Sequence, residues 1–263
     1  MDKKYKLTNE TICYYGRTLH RIEALIDFGN VKIGDKGGFV ENEYNLSHKD
    51  DCWVFGDAKV FDNARVYENA YICNTADVYS NAKVHGFASI RNQAAVYDNA
   101  EIYDQAVIAE EAVVRGNTKV WDHAVVMGNT YIRDSTTIYD SACISGNAYI
   151  IGKSCIHGNA FVHDSVIISS SHIFDCAEVY GRAKIRNAEI SKTDDYIVFK
   201  NWWSSGRYFT WTKSNNMWFV GCFYGTGEEL IAKAYKDSEL SGKEYERIVR
   251  YVEDIYPSVK AIN

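Results

Sequence analysis

Paired cysteine motifs, an excess of basic charge and long apolar runs are all missing from this chain of 263 residues. Its seven Cys form no C-x-x-C pair, which indicates reduced thiols in the cytosol and excludes a disulfide framework. The formal net charge of −6 argues against direct binding of nucleic acid. No apolar run reaches the roughly 18 residues of a membrane span, and the first ten residues contain no apolar signal core. We therefore expect a cytoplasmic protein, neither secreted nor bound to a membrane.

Motifs that carry familiar chemistry are also missing. The chain contains no H-E-x-x-H and no G-x-S-x-G, and its Cys, His and Asp residues show no metal-ligand spacing. The glycine-rich loop at Gly34–Val40 lacks the G-x-x-x-x-G-K-[ST] pattern that cradles phosphate, so we interpret it as a tight turn. From its residues the chain is expected to bind no metal and no cofactor.

What the chain does contain is a six-residue repeat from Cys52 to Ile168, with units such as DAKVFD, NARVYE and NAKVHG. Each unit has a small residue, as at Ala58 and Ala64, and two positions later a Val or Ile, as at Val60 and Val66. A strand has a period of two, so six residues hold one short strand and one corner. Three units then close a triangular coil of 18 residues, with Asp, Asn or Gly at the corners.

The tandem pattern A-x-[VI]-x-x-[NDG] resembles the hexapeptide-repeat left-handed β-helix. The resemblance implies a mainly β fold: a left-handed parallel β-helix of about seven to eight triangular coils. It also implies trimers, which are usual in that family, and acyl transfer from CoA or ACP donors, which is a common activity there. The repeat slips by one residue after Ile168, which predicts a looser last coil.

We divide the chain into an N-terminal β cap (1–51), the solenoid (52–193) and a C-terminal α+β domain (194–263). In the cap, two strand-like runs joined at 9–11 predict a β-hairpin. In the C-terminal domain, short β runs around 214–216 predict a second hairpin, and capping boxes at Thr226–Glu229 and Ser241–Glu244 predict two helices. The whole chain resembles a group of uncharacterised phage and prophage proteins, on the segments GRTLHRIEAL, GDKGGFVENEYNLS and GCFYGTGEEL. This resemblance implies no established activity.

Reading the repeat in steps of 18 separates its outward columns. One column is aromatic throughout, and a row of carboxylates lies beside it. These residues either stack on each other and turn the corners, or bind a partner, with the carboxylates imitating the phosphate backbone of DNA. The candidate partner-binding residues are Tyr67, His85, Tyr103, Trp121, Tyr139, His157, Glu68, Asp104, Asp122 and Asp140.

A second outward column is largely apolar and predicts an oligomer interface. Contiguous exposed apolar residues usually mark an interaction surface, so we expect a homodimer or homotrimer. The alternative is that the C-terminal domain folds back over this column. The candidate interface residues are Trp53, Tyr71, Val107, Val125 and Phe161 on the first face, with Tyr131 and Tyr149 on the second face extending the column in the later coils.

Two functions follow from these columns. The first is a non-enzymatic binding protein of phage type that engages a host protein, with inhibition of a host defence system as one such role. The second is a hexapeptide-repeat acyltransferase, for which the candidate bases are His85, His123, His157 and His163. The repeat has no inserted loop of the kind that helps form the family's catalytic clefts, so the binding role is preferred.

Overall fold

The computed structural model of the protein describes residues 3–257. It is mainly β, with parallel strands stacked into a solenoid of about eight turns. An antiparallel hairpin precedes the solenoid, and a small antiparallel sheet with two helices follows it. The predicted β-solenoid and the predicted C-terminal α+β region are confirmed.

The N-terminal hairpin consists of β1 (Tyr5–Tyr14) and β2 (Arg17–Ala24), which are followed by β3 (Lys36–Val40). Its turn is at Tyr15-Gly16, both with positive φ, and not at the predicted 9–11. Two positive φ angles suit a two-residue hairpin turn, whereas the predicted turn is only an irregularity within β1 between Leu7 and Thr11. A one-turn 3-10 helix, Glu43–Asn45, leads on towards the solenoid.

The solenoid has three sheets, and every coil contributes one short strand to each. The strands are β4 (Trp53–Val54), β5 (Lys59–Val60), β6 (Arg65–Val66), β7 (Tyr71–Ile72), β8 (Asp77–Val78), β9 (Lys83–Val84), β10 (Ser89–Ile90), β11 (Ala95–Val96), β12 (Glu101–Ile102), β13 (Val107–Ile108), β14 (Val113–Val114), β15 (Lys119–Val120), β16 (Val125–Val126), β17 (Tyr131–Ile132), β18 (Thr137–Ile138), β19 (Cys143–Ile144), β20 (Tyr149–Ile151), β21 (Cys155–Ile156), β22 (Phe161–Val162), β23 (Ile167–Ser169), β24 (His172–Ile173), β25 (Glu178–Val179), β26 (Lys184–Arg186) and β27 (Glu189–Ile190).

We call the sheet that begins with β4 the first sheet, the one that contains β5 the second, and the one that begins with β6 the third. The order in the second sheet is β1-β2-β3-β5 and onwards, so the N-terminal hairpin extends it. Along most of the solenoid each residue pairs with the one 18 positions later, as Ser89 does with Val107. The small and aliphatic columns, such as Ala106 and Ile108, are fully buried and form a single core inside the coils.

The corners take the left-handed backbone predicted for Asp, Asn and Gly. Asp62, Asn74 and Gly86 have φ of 54°, 63° and 67°. Side chains at these positions join consecutive coils, since the Asn92 N–H donates to the Asn74 side-chain oxygen at 3.1 Å. At Gly86 the next coil lies so close that a Cβ would sit 2.6 Å from the backbone nitrogen of Asp104. Most corners therefore carry the predicted residue types, while Glu68, Ser80 and Glu110 take the same positive φ without being Asp, Asn or Gly.

After Ile168 the coil shortens from 18 to 17 residues, so that Cys155 pairs with His172. The missing residue falls in the corner between β23 and β24, where Ser170 has a φ of 49°. The inward residues Ile173 and Ile190 remain fully buried. The prediction of a looser last coil is therefore wrong, because the deletion shortens a corner and leaves the core packed.

The C-terminal domain is a four-stranded antiparallel sheet with two helices. After a 3-10 turn, Thr193–Asp195, the sheet order follows the chain. The predicted hairpin around 214–216 is the connection between its second and third strands. The elements are β28 (Tyr196–Lys200), β29 (Tyr208–Thr212), β30 (Met217–Val220), β31 (Phe223–Gly225), α1 (Gly227–Asp237) and α2 (Glu239–Ile255).

One of the two predicted helix starts is correct. Thr226 and Glu229 form the expected capping box, each side chain accepting from the other's backbone N–H. The predicted start of α2 at Ser241 is wrong, because the Ser238 hydroxyl accepts from the Ser241 N–H at 3.1 Å and caps the helix earlier. The short link between the helices made this earlier cap hard to see in the sequence.

The C-terminal domain covers the end of the last coil. The Thr210 hydroxyl accepts from the Lys184 N–H and the Ser214 hydroxyl from the Glu189 N–H, both at 2.8 Å. Asn215 donates its amide to the Arg186 carbonyl at 3.0 Å. These bonds satisfy backbone groups that an open solenoid end would leave unpaired. The domain thus packs against the last coil, contrary to the alternative in which it folds back over the apolar column.

Candidate functional site

The aromatic column stands on the third sheet with one ring per coil. Consecutive ring centroids are 4.4–5.9 Å apart and their planes lie within 13° of parallel. The strand spacing of about 4.8 Å sets these distances. Each such pair stabilises the fold by about 0.5–1.5 kcal/mol beyond its buried area. The column consists of Tyr67, His85, Tyr103, Trp121, Tyr139, His157 and Phe174.

Self-stacking limits how this column can meet a partner. A platform for bases needs free ring faces, but here each face covers the next ring. Inserting a base between Tyr103 and Trp121 would require their coils to separate. Backbone hydrogen bonds between these coils oppose the separation, since the Tyr103 N–H donates to the Val120 carbonyl at 3.0 Å. A partner can therefore contact only the edges of these half-buried rings.

The neighbouring carboxylates turn corners and still point outwards. Glu68, Asp104, Asp122 and Asp140 all have positive φ. The Glu68 carboxylate accepts from the Gly86 N–H at 2.8 Å, and the Asp122 carboxylate accepts from the Asp140 N–H at 3.3 Å. The side chains of Glu68 and Asp140 nevertheless remain 49% exposed. The row therefore combines a structural role with an exposed negative charge.

Three candidate bases lie within the third sheet and its corners. His85 stacks between Tyr67 and Tyr103, and its ring nitrogens lie 3.6 Å from carboxylate oxygens of Glu68 and Glu101. His123 is exposed beyond the corner at Asp122. His85 and His157 are four coils apart, about 19 Å at roughly 4.8 Å per coil.

The last candidate base lies on another face. His163 belongs to the first sheet, where its ring stacks on Phe161 and Tyr180. Its Nε2 lies 3.1 Å from the Glu178 carboxylate. The four candidate histidines therefore lie on different coils, three along the third sheet and one on the first, and do not converge on one cleft.

The apolar column of the first sheet is accessible over most of its length. Tyr71 is 39% exposed and Phe161 is 38% exposed, while Val107, Val125 and Cys143 are half-buried between them. The column therefore forms a largely apolar stripe on a parallel sheet, interrupted between Tyr71 and Val107 by Ser89, which is only 2% exposed. Tyr131 and Tyr149 stand on the second sheet, as predicted, half-buried and stacked 5.5 Å apart.

Trp53 has to be removed from the predicted interface. Its side chain is only 1% exposed. The rings of Tyr5 and Phe28 pack edge-on against it at 6.0 and 5.3 Å, so the N-terminal segment covers the first coil. The sequence did not reveal this because the residues that bury Trp53 come from outside the repeat.

The structure shows a second ring stack that the sequence interpretation missed. Phe61, Tyr79 and Tyr97 stack on the second sheet with centroids 5.0 and 4.6 Å apart, and Arg115 lies over the Tyr97 ring. The Arg115 side chain also pairs with the Asp98 carboxylate at 2.9 Å. The same reading in steps of 18 would have found this column. Its first member, Phe61, is buried against Leu19 and Phe39 of the N-terminal segment.

Cys155, His157 and His172 come together on the third sheet, although the sequence predicted no metal site. One sulfur and two nitrogen atoms of these half-buried side chains all lie within 4.8 Å of one another. The two Nε2 atoms of His157 and His172 are 2.7 Å apart. Cys155 and His157 flank the inward Ile156 on one strand, and His172 pairs with Cys155 from the next coil.

Two neighbours position the His157 ring. Tyr139 stacks on it with centroids 4.7 Å apart and planes within 1° of parallel. The Asp140 carboxylate lies 3.4 Å from its Nδ1 and also accepts from the Gly158 N–H at 3.0 Å. The ring therefore has a carboxylate on one nitrogen and His172 on the other.

The local environment favours neutral side chains here. Burial lowers the pKa of His172 and the neighbouring His157 lowers it further, which leaves the ring neutral at pH 7. Burial raises the pKa of Tyr139 to about 12, helped by the hydrogen bond with the Cys155 thiol. Neutral imidazole is the form that ligates metal ions.

No helix among residues 3–257 is long and apolar enough to cross a membrane. No protein-family model matches the chain, and no curated protein matches it either. The fold thus defines the class: a β-solenoid protein with an N-terminal hairpin and a C-terminal α+β domain that packs on the last coil.

Proposed function

We propose that this β-solenoid, of the left-handed hexapeptide-repeat type, is a non-enzymatic binding protein. It self-associates through the apolar stripe of the first sheet and engages a host macromolecule through the third sheet. The observation that carries the proposal is the stripe itself, with Tyr71 and Phe161 exposed at its two ends. Monomeric soluble proteins rarely expose contiguous apolar surface of this kind.

A second copy of the chain suits this stripe because the repeat makes it self-complementary. Residues along the stripe recur once per coil, as Val107 and Val125 do in paired strands. Two copies therefore present side chains at the same spacing of about 4.8 Å and can interdigitate along several coils. Burial of apolar area at about 25 cal/mol per Å² favours the contact.

Adding charge to the stripe is expected to produce monomers. The double variant Tyr71→Glu/Phe161→Glu would bury two carboxylates in the contact and should shift an oligomer to a monomer in light scattering coupled to size-exclusion chromatography. The matched control is Tyr15→Glu/Phe87→Glu, which alters the same residue types at exposed positions outside the stripe. A wild-type chain that is monomeric at micromolar concentrations, or equal dissociation of both variants, would contradict the self-association.

The carboxylate row supports a macromolecular partner. Glu68, Asp104 and Asp122 present negative charge along one edge of a rigid rod, and such a rod can imitate a phosphate backbone. The resemblance to phage and prophage proteins favours a host partner, including a protein of a host defence system. We place the contact on this row together with the edges of the stacked rings.

Neutralising the row is expected to abolish capture of the partner without unfolding the coils. Glu68→Gln/Asp104→Asn/Asp122→Asn removes three charges and keeps side-chain oxygens as hydrogen-bond acceptors. The control Glu110→Gln/Asp134→Asn/Asp164→Asn changes the net charge equally at other corners. Wild type and control should retain a host protein at stoichiometric level in affinity purification, and the first variant should lose it.

Three results would overturn the binding role. They are the absence of any stoichiometric partner of the wild type, equal retention by both triple variants, and tight acetyl-CoA binding that a His→Ala substitution removes. The last would favour the acyltransferase instead.

A further inference from the structure

We propose that Cys155, His157 and His172 form a mononuclear zinc site with one coordination position open to solvent. A thiolate and two imidazoles are a ligand set that suits Zn²⁺, and three protein ligands leave a fourth tetrahedral position for water. The three side chains are half-buried, so the site is held by the fold and remains accessible. The proposal concerns metal binding and does not depend on the proposed partner or on self-association.

The observed distances fit such an ion. With Zn–N bonds of about 2.0–2.1 Å, tetrahedral geometry separates two ligating nitrogens by about 3.3 Å. The His157 and His172 Nε2 atoms are 2.7 Å apart and point at each other, so a small rotation of each ring makes room for the ion. The Cys155 sulfur lies within the same 4.8 Å cluster.

The surroundings of His157 are those of a metal ligand. Imidazoles that bind metal usually donate their other ring N–H to a carboxylate, which sets the tautomer and the ring orientation. Here the Asp140 carboxylate faces Nδ1 of His157 at 3.4 Å, while Nε2 faces His172. Stacking on Tyr139 fixes the ring plane. The chain thus supplies both the ligands and the group that orients one of them.

The coil register explains why these ligands meet here. Cys155 and His172 are strand partners 17 residues apart, at the coil that is one residue short. Cys143, by contrast, is paired with Phe161 on the next coil and has no imidazole opposite it. Bound zinc would tie two coils together at the point where the repeat changes length.

The test uses the untagged full chain, reduced and stripped of metal by a chelator. Zinc is titrated in competition with a chromogenic chelator, and Co²⁺ is titrated separately for its absorption spectrum. We expect one ion per chain and a thiolate-to-Co²⁺ charge-transfer band. Cys155→Ser and His172→Gln should each weaken zinc binding by about 100-fold or more, and Asp140→Asn by about 10-fold, as for outer-sphere carboxylates.

Cys143→Ser and His163→Gln are the matched controls and should bind zinc as the wild type does. Circular dichroism checks that each variant keeps the solenoid. If His172→Gln does not fold, the zinc affinity of the near-isosteric Cys155→Ser tests the site by itself. The zinc site is overturned if wild type binds no more tightly than Cys155→Ser, if the controls lose as much affinity, or if Co²⁺ binds without a thiolate band.

Discussion

Replacing Ile108 by Ala is expected to lower the free energy of unfolding by about 2–5 kcal/mol. Ile108 is fully buried and contributes to the inward aliphatic column of a narrow core. Each coil supplies only a few side chains to that core, and the paired strands on both sides resist collapse into the cavity. The lost transfer free energy and the residual cavity therefore add.

Val107→Ala is the matched control for this prediction. Val107 precedes Ile108 on the same strand, but its side chain points outwards and is half-buried, so its truncation should cost about 1 kcal/mol or less. Chemical denaturation followed by circular dichroism measures the free energy of unfolding of both variants. Equal losses at the two positions would mean that the inward column does not carry the stability of the solenoid. A solenoid is held by nearest-neighbour contacts, so Ile108→Ala should also increase hydrogen exchange most in the adjacent coils.

Ending the chain after Lys192 is expected to convert a defined species into larger, heterogeneous assemblies. The truncation removes the side chains of Thr210, Ser214 and Asn215, which satisfy backbone groups of the last coil. The uncovered strand edges can then pair with the edges of other molecules, as unprotected β edges do. Light scattering should show mass that grows with concentration and time.

Thr210→Val separates edge protection from the rest of the domain. The variant keeps the C-terminal sheet and loses only the hydroxyl that accepts from the Lys184 N–H, so it should cost about 1–3 kcal/mol without driving assembly. Assembly of the truncated chain should also persist in the Tyr71→Glu/Phe161→Glu background, because it proceeds through the coil end. A truncated chain that stays the same size as the full chain would show that the last coil needs no cover.

The repeat was enough to predict the solenoid, the 18-residue coil and the corners. Those features follow from local rules: alternation buries every second side chain, and Asp, Asn and Gly accept the positive φ at Asp62, Asn74 and Gly86. The aromatic column was predictable for the same reason, since the period places Tyr103 and Trp121 one coil apart. The capping box at Thr226 is likewise a short-range pattern.

Only the tertiary structure decided what each outward residue meets. Trp53 is buried by Tyr5 and Phe28 from the N-terminal segment, which no periodicity within the repeat encodes. The rings of the aromatic column stack face to face on each other. Only their edges are therefore left to contact a partner. Cys155, His157 and His172 converge because the strands of neighbouring coils pair Cys155 with His172, across a corner that is one residue short. The repeat period settles the backbone path because it acts on every residue alike, whereas a functional cluster depends on single contacts between coils that are distant in sequence.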